Sequence, residues 1–167
     1  MNIVITAKLL CLIFAVGPPD FWLTSQRKEL VCKQASLIIK ESKKNDLDPT
    51  LLSALITVES NWKRTVVSRA NACGLTQVIP KYTGRITRKY TCDELKNPKN
   101  SIQAGAKILK WWINHHNGSI VRGLCGYNAG FRCKGKKPTR HGMRYARKIL
   151  KLQSRIQELA IQEAASL

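Results

Sequence analysis

Acidic residues are scarce in this chain of 167 residues, which carries 10 Asp and Glu against 29 Lys and Arg, a formal net charge of +19. From Leu95 to Gln157 the sequence has no acidic residue at all, while fifteen Lys or Arg occur there. Such a surface attracts polyanions and binds them more weakly as the salt concentration rises. Nucleic acid, anionic cell-wall polymers and acidic lipid headgroups all fit, so charge alone leaves the class of partner open.

The sequence also lacks internal repeats, low-complexity segments, long linkers and any pair of cysteines with C-x-x-C spacing. The three histidines form no zinc-binding pattern with the six cysteines. One or two disulfides would suit an exported protein, but buried free thiols explain the cysteine count equally well. An apolar content of 44% argues against global disorder, and the length fits one domain.

One short apolar run at the N-terminus, Leu9 to Val16, follows Lys8 and has the length of a signal-peptide core rather than of a membrane span. Gly17 is small enough for a cleavage site, although Pro18 directly after it is a poor context. We therefore expect residues 1–28 to be a signal peptide or an uncleaved N-terminal anchor that contacts a membrane. The alternative is a buried N-terminal segment of the domain.

Strand-like alternation is scarce, and apolar residues repeat at helical spacing through most of the chain, which predicts a mainly α fold with a single compact helical domain. The clearest start signal is Asp48, which can cap a helix whose first position is Pro49. Apolar residues cover a broad surface of that helix, so we expect it to be central to the core. Further helices are predicted over 25–45, from a cap at Ser101 to Gly118, within 119–130 and over Met143 to Leu152, with 61–100 irregular and 153–167 a helical tail.

Glu59 is an isolated carboxylate at the C-terminal end of the helix that begins at Pro49. The helix dipole is already negative there and burial adds a desolvation penalty, so both effects raise the pKa of the carboxyl. An acid that stays protonated near neutral pH can donate its proton to a leaving group. The alternative is a surface glutamate, either free or paired with Arg64 or Arg69.

Four short motifs follow one another with compact spacing. They are ESNW at 59–62, GLTQVIP at 74–80, NPKNSIQAGAKIL at 97–109 and YNAG at 127–130. In this order they resemble the catalytic domain of soluble lytic transglycosylases, enzymes of the lysozyme-like superfamily that cleave peptidoglycan. The resemblance covers roughly residues 45–152. It implies a helical member of the lysozyme-like α+β superfamily, with its catalytic domain over 29–152, a substrate groove and peptidoglycan glycan strands as substrate.

The resemblance also assigns roles to individual residues. Glu59 matches the catalytic acid and base of the family. Three of the residues that match groove positions have an alternative role: Gln77 could brace its loop through the backbone, Tyr127 could be a core aromatic residue, and Asn128 could serve the turn at Gly130. The residues that match positions in or beside the sugar-binding groove are Ser68, Gln77, Tyr127, Asn128 and Tyr145.

Thr76 stands where the family usually has Met, and we expect this departure to alter a sugar contact without removing activity. Two cysteines, Cys73 and Cys125, lie unusually close to the motifs. We expect Trp62, Trp111 and Trp112 to pack in the core rather than stack on sugars. We expect His115 and His116 to end a helix rather than bind a metal.

The isolation of Glu59 from other carboxylates indicates which mechanism of glycosidic cleavage it can support. Ordinary glycosidases use two carboxyl groups, but Asp93 and Glu94 are the only acids between Glu59 and Glu158. The N-acetyl group of N-acetylmuramic acid can serve as the nucleophile instead. We therefore predict a lyase in which Glu59 protonates the glycosidic oxygen and then deprotonates the 6-hydroxyl of the same sugar, which closes a 1,6-anhydro ring. That reaction consumes no water and needs neither a metal nor a cofactor.

Three other functions stay open at this point. A hydrolytic muramidase of goose-type lysozyme character would use Asp93 to orient water. A nucleic-acid-binding protein would use the basic stretch 132–155, although no base-reading module is present and nucleic acid is not expected as a partner. A catalytically silent protein could bind glycan within an assembly. We expect a periplasmic or extracytoplasmic location, membrane-anchored or virion-associated, with a secretion, conjugation or phage assembly as a candidate partner.

Overall fold

Helices make up most of the structure, a computed structural model that describes residues 4–16, 23–135 and 137–165. Strand pairing within those ranges is limited to isolated bridges of Cys73 with Val67 and Val78. The mainly α fold predicted from the sequence is thereby confirmed. The helices are α1 (Ala7–Val16), α2 (Ser25–Lys44), α3 (Pro49–Ser60), α4 (Pro80–Thr83), α5 (Cys92–Leu95), α6 (Pro98–His115), α7 (Ile120–Ala129) and α8 (Arg140–Ala165), with a 3-10 turn at Gly130–Cys133.

Helix α3 lies at the centre of the core, as its broad apolar surface predicts. The Asp48 carboxylate accepts a hydrogen bond from the Thr50 backbone N–H at 2.7 Å, and Pro49 occupies the first turn. The helix packs against α2 and α8, which brings its last turn, with Glu59, within reach of α8. Its buried apolar side chains are Leu51, Leu52, Ala54, Leu55 and Ile56.

Helix α6 begins three residues before the predicted cap. Asn97 caps it instead by accepting a hydrogen bond from the Lys99 N–H at 3.0 Å, and Pro98 takes the first position. Ser101 is fully buried in the first turn, where its hydroxyl and carbonyl oxygens bind Thr76. Asn and Ser are both good caps. Capping chemistry therefore does not explain why Asn97 rather than Ser101 caps α6; the burial of Ser101 against Thr76 does.

Helix α8 runs from Arg140 to Ala165 without a break. The predicted end at Leu152 is therefore wrong, because no Gly or Pro interrupts the helix after its first turn and buried apolar side chains continue at helical spacing to Ile156 and Leu159. Residues 153–165 thus continue the helix and bury part of it in the core. The boundary between catalytic domain and tail stays a prediction.

The N-terminal helix α1 packs on the core through side chains that include Ile13 and Phe14, both fully buried. In the parts of the chain that the structure describes, no helix is long and apolar enough to cross a membrane. The cleavage context at Gly17 and Pro18 lies outside the described residues. The assignment of residues 1–28 to a signal peptide or anchor stays a prediction.

All six cysteines are paired. They form three disulfides, so the expectation of one or two disulfides, or of buried free thiols, is wrong. A bridge requires two Cα atoms within about 7 Å, and only the fold brings these residues that close. One bridge joins α1 to α2, and the other two lie next to the sequence motifs. The pairs are Cys11–Cys32, Cys73–Cys92 and Cys125–Cys133.

Candidate active site

Glu59 lies in the last turn of α3, where its side chain keeps partial access to solvent. One carboxylate oxygen accepts a hydrogen bond from the Tyr145 hydroxyl. Burial raises the pKa of the carboxyl from 4.5, the value of an ordinary glutamate, to about 7, although the hydrogen bond from Tyr145 and the charge of Lys148 lower it. Pairing with Arg64 or Arg69 does not occur among the ion pairs of the described residues. Glu59 can therefore hold or release a proton near neutral pH, as acid–base catalysis requires.

The chain turns sharply after Glu59, because Asn61 and Trp62 both have left-handed φ, 46° and 62°. Asn tolerates this conformation, whereas a bulky residue such as Trp rarely adopts it. Trp62 is held there by burial, with 1% of its surface exposed, and by a hydrogen bond of 2.9 Å from its Nε1 to the Thr57 hydroxyl. The predicted core packing of Trp62 is confirmed, and the strained turn fixes the end of α3 that carries Glu59.

Two tyrosines from different helices lie beside Glu59. Tyr145 comes from α8, and Tyr127 comes from α7, where its hydroxyl donates to the Thr76 carbonyl oxygen at 2.8 Å. Burial, followed by the charge of Glu59, raises the pKa of both hydroxyls well above their usual range. Both therefore stay protonated donors near neutral pH, and neither adds a second negative charge to the site.

The turn at residues 74–77 depends on its glycine and its glutamine. Gly74 has a φ of 75°, and a Cβ there would lie 1.9 Å from the Leu95 carbonyl oxygen. Gln77 also has a positive φ, 49°, and its amide donates to the carbonyl oxygens of Val66 at 3.1 Å and Gly74 at 3.0 Å. Gln77 thus braces its own loop, as the alternative from the sequence proposed, and its contact with a sugar stays a prediction.

Ser68 and Asn128 lie in different surroundings. Ser68 is half-buried, and its hydroxyl accepts hydrogen bonds from the N–H groups of Ala70 at 3.2 Å and Ala72 at 3.1 Å. It therefore shapes the loop that leads to Cys73. Asn128 is exposed near the C-terminal end of α7. Their contacts with sugar stay predictions.

Thr76 is fully buried, so its side chain does not itself contact a sugar, and the expectation that it alters a sugar contact stays a prediction. Its side chain is fully buried, and its hydroxyl donates to the Ser101 carbonyl oxygen at 2.8 Å. A Cβ at Gly105 would lie 2.5 Å from the Thr76 side chain, so the turn and α6 are in close contact there. The replacement of Met by Thr is a change of packing between the turn and α6.

The aromatic residues near the end of α6 differ in how deeply they are buried. Trp112 is 8% exposed and packs in the core as predicted, whereas Trp111 is half-buried and stacks on His115, with 5.1 Å between ring centroids. The predicted helix end is confirmed, since α6 ends at His115 and His116 caps it. Phe131, which is 61% exposed, lies edge-on to both tryptophans. Phe131 belongs to the 3-10 turn at Gly130–Cys133, and no sequence motif pointed to it.

Lys148 is a second residue that sequence reasoning missed. Its charge lowers the pKa of Glu59, and the ion pairs of the described residues do not include it. It follows Tyr145 by three residues in α8, a spacing that places two side chains on one face of a helix. That spacing from the predicted aromatic residue is the signal that could have found it.

Two surface cavities flank the site, and neither of them is lined by Glu59. One, of about 450 Å³, lies between the start of α2 and the segment 62–65 that follows Glu59. The other, of about 520 Å³, lies beside the loop shaped by Ser68 and is lined by Asn71, Ile79 and the half-exposed Tyr82, among others. The carboxyl of Glu59 thus lies outside the lining of both cavities.

The sequence matches one protein family over most of its length. A sequence model of the Transglycosylase SLT domain matches residues 36–150. An endo-type membrane-bound lytic murein transglycosylase A of Klebsiella pneumoniae is 39% identical over 70 residues, which are 38% of this chain and 34% of that protein. Its counterpart in Enterobacter sp. strain 638 is 36% identical over 77 residues, 42% of this chain and 38% of that protein. The chain thus spans little more than a third of these relatives.

Two solved structures share the fold. An inactive mutant of the lytic transglycosylase Slt from Pseudomonas aeruginosa superposes with a TM-score of 0.65 at 23% identity, over 73% of this chain and 24% of that chain. The 70 kDa soluble lytic transglycosylase SLT70 from Escherichia coli superposes with a TM-score of 0.67 at 16% identity, over 90% of this chain and 30% of that chain. At these identities the likeness establishes the fold alone.

Proposed function

This chain belongs to the Transglycosylase SLT domain family, and from that premise we propose that it is a peptidoglycan lytic transglycosylase. Its substrate is the β-1,4 bond between N-acetylmuramic acid and N-acetylglucosamine. The observation that carries the proposal is the state of Glu59, a single carboxyl whose pKa is raised to about 7 and which accepts a hydrogen bond from Tyr145. Such a group can act as acid in one step and as base in the next.

In the first step, protonated Glu59 donates its proton to the glycosidic oxygen while the bond from that oxygen to the anomeric carbon breaks. The burial that raises the pKa of Glu59 keeps a large share of it protonated near pH 7. When the proton leaves, the carboxylate keeps the hydrogen bond from Tyr145 and the nearby charge of Lys148. Both interactions stabilise the ionised form and so favour proton donation.

In the second step, the carbonyl oxygen of the substrate's own acetamido group forms a bond to the anomeric carbon. Substrate assistance of this kind replaces the second carboxylate of ordinary glycosidases. The absence of acids between Leu95 and Gln157 in the sequence supports it, as does the condition of Asp93, whose side chain is 88% exposed and pairs with Lys96 at 2.7 Å.

In the third step, ionised Glu59 takes the proton of the 6-hydroxyl. The 6-oxygen then bonds to the anomeric carbon, and the bond from that carbon to the acetamido oxygen breaks. The product is a 1,6-anhydro sugar, and Glu59 is protonated again for the next cycle. Atoms and protons balance without water, metal or cofactor.

The product identifies the reaction. Sacculi digested with the oxidised full chain should yield muropeptides that end in 1,6-anhydro-N-acetylmuramic acid, and Glu59→Gln should yield none. Asp93→Asn is the matched variant, because a hydrolytic muramidase of goose-type lysozyme character would need Asp93 and the lyase would not. Loss of cleavage in Asp93→Asn would contradict the proposal, and so would cleavage that persists in Glu59→Gln.

We place the protein at the cell envelope on the extracytoplasmic side. The relatives named as membrane-bound murein transglycosylases support this location, as do three disulfides, which persist in oxidising compartments. At the envelope, the protein could be anchored in the membrane or associated with a secretion, conjugation or phage assembly. Fractionation of producing cells with thiol alkylation tests the location: recovery in the envelope with no alkylated cysteine is expected, and a cytoplasmic protein with free thiols would contradict it.

The basic surface has a place in this proposal, since peptidoglycan carries free carboxylates on its stem peptides and a positive enzyme concentrates near an anionic polymer. A nucleic-acid-binding protein using residues 132–155 remains the other candidate. Titration with duplex DNA at two salt concentrations separates them. We expect only weak binding that disappears at moderate salt, without base-sequence preference.

A further inference from the structure

The disulfide Cys125–Cys133 lies against the start of α8, the helix that carries Tyr145. Cys125 belongs to α7, two residues before Tyr127, and Cys133 ends the 3-10 turn that follows α7. Both cysteines are fully buried. The bridge therefore closes the segment that leads from α7 toward α8, the helix that carries Tyr145.

The first turn of α8 rests on the two sulfur atoms. A Cβ at Gly142 would lie 2.6 Å from Cys125 Sγ, 3.1 Å from Cys133 Sγ and 3.2 Å from the Ala129 Cβ. Gly142 has an ordinary helical conformation, so the glycine serves this close approach and not an unusual φ. Any change in the space that the sulfurs occupy is transmitted to the start of α8.

From Gly142 the connection to the carboxyl is short. Tyr145 follows Gly142 by three residues, nearly one helical turn, and its hydroxyl donates to Glu59. On the other side, the Arg122 guanidinium holds the loop by donating to the carbonyl oxygens of Cys133 at 3.2 Å and Gly135 at 2.6 Å. The loop, the bridge and the start of α8 thus form one packed unit.

Breaking the bridge would enlarge the space that this unit needs. Bonded sulfur atoms are about 2.0 Å apart, whereas non-bonded heavy atoms require about 3.5–4.0 Å. Two thiols beneath Gly142 would therefore push against the first turn of α8 or against the loop. Since Gly142 has no free space toward the sulfurs, a displacement of α8 moves Tyr145 relative to Glu59.

We propose that the Cys125–Cys133 disulfide positions Tyr145 against Glu59, so that full activity of the site requires this bridge to be closed. Closure removes two electrons and two protons from the two thiols and passes them to a disulfide-donating oxidoreductase; a dithiol reductant returns them. Glycan cleavage is thereby confined to an oxidising compartment. The effect of the bridge on activity rests on the proposed transglycosylase function. Its effect on the hydrogen bond from Tyr145 to Glu59, and so on the pKa of Glu59, does not.

The test compares two variants that each lack one bridge. Cys125→Ser with Cys133→Ser removes the covalent link between α7 and the 3-10 turn, and reduction of the wild-type protein leaves two full-sized thiols beneath Gly142; both should show the effects given below. Cys11→Ser with Cys32→Ser is the matched control, since that bridge joins α1 to α2. Three quantities are measured: kcat and KM on soluble glycan strands, Tm, and the pKa of Glu59 from the NMR shift of its carboxyl carbon. The first variant should lose about tenfold in kcat with little change in KM, the size expected for one hydrogen bond to a charged group.

The same variant should show a higher pKa for Glu59, because the hydrogen bond from Tyr145 lowers it. The control should keep kcat and the pKa of Glu59, while its Tm falls at least as far, since its bridge closes a longer loop, 21 residues against 8. Unchanged kcat and Glu59 pKa in the first variant would overturn the proposal. So would losses of activity that merely follow Tm in both variants.

A second variant covers the case in which the first does not fold. Gly142→Ala keeps the bridge but inserts a Cβ against both sulfurs, and it should show the same fall in kcat and rise in Glu59 pKa. Wild-type values in Gly142→Ala would overturn the proposal. If the oxidised wild-type protein cleaves no glycan, the proposed function fails, and the NMR measurement still decides whether the bridge positions Tyr145.

Discussion

The hydroxyl of Tyr145 donates a hydrogen bond to the carboxyl of Glu59, joining two helices whose contact residues are 86 positions apart in sequence. Helix α3 supplies the carboxyl at its last turn, and α8 supplies the hydroxyl one turn after its start. The hydrogen bond lowers the pKa of Glu59 while burial raises it. The balance leaves a carboxyl that can both give and take a proton near pH 7.

Removal of the Tyr145 hydroxyl should impair both roles of Glu59. In Tyr145→Phe we expect kcat to fall about tenfold, because a hydrogen bond to a charged group contributes about 1.5–3 kcal/mol. The pKa of Glu59 should rise, which the carboxyl-carbon NMR shift measures directly. Tyr82→Phe is the control, since Tyr82 is half-exposed on the surface. Equal kcat values for the two variants would contradict a role for the Tyr145 hydrogen bond.

Charge at Lys148 should set the upper limit of the pH profile. Activity requires protonated Glu59 in the first step, so the rate should fall as the pH rises above about 7, the pKa of that carboxyl. Lys148 lowers this pKa, so Lys148→Gln should move the basic limb to higher pH. Lys151→Gln, one turn further along α8 and exposed, should leave the limb in place. A basic limb that moves equally in both variants would mean a general effect of net charge.

Replacement of Glu59 should stabilise the protein, but only at high pH. The folded-state pKa is raised above the unfolded value, so the ionised carboxyl is disfavoured in the fold and stability is lost as pH rises from about 4.5 to about 7. Glu59→Gln escapes this loss and should be more stable by about 3 kcal/mol at pH 8, with little difference at pH 4. Urea denaturation at both pH values measures it. A stabilisation that is the same at pH 4 and pH 8 would contradict the raised pKa.

Gly74 should tolerate no side chain, in contrast to another glycine with similar backbone geometry. Gly74→Ala places a Cβ 1.9 Å from the Leu95 carbonyl oxygen, and we expect a loss of at least about 2 kcal/mol together with reduced activity through the Gln77 turn. Gly118 has a φ of 82° and free space around a Cβ, so Gly118→Ala should cost only about 1 kcal/mol. Comparable losses of stability in the two variants would contradict the prediction, because they would show that the contact of a Cβ with the Leu95 carbonyl oxygen adds nothing to the cost of the positive φ.

Local chemistry made the start of α3 predictable. Asp48 and Pro49 act within one turn of each other, and the apolar pattern after them identifies a buried helix, so the position of Glu59 at a helix end follows from the sequence. The direction of its pKa shift follows as well, because burial dominates it. Capping at Ser101 was wrong because Thr76, 25 residues away, takes that hydroxyl into the core.

Contacts across the fold were beyond the reach of sequence patterns. The contact between Tyr145 and Glu59 spans 86 residues, and only the family resemblance pointed to Tyr145. Nothing in the spacing of the cysteines shows that Cys125 pairs with Cys133 beneath Gly142, since the pairing depends on how α7 and α8 pack. The burial of Thr76 depends likewise on Gly105 of α6, which leaves room for it.

Digestion of sacculi in water enriched in oxygen-18 distinguishes the lyase from a hydrolase. We expect muropeptides that end in 1,6-anhydro-N-acetylmuramic acid and contain no heavy oxygen, because the sugar's own 6-hydroxyl closes the ring and Glu59 alone moves the protons. Products with a reducing end that carries one heavy oxygen would show that water attacks the anomeric carbon. That result would contradict the lyase and assign the same glutamate to a hydrolase.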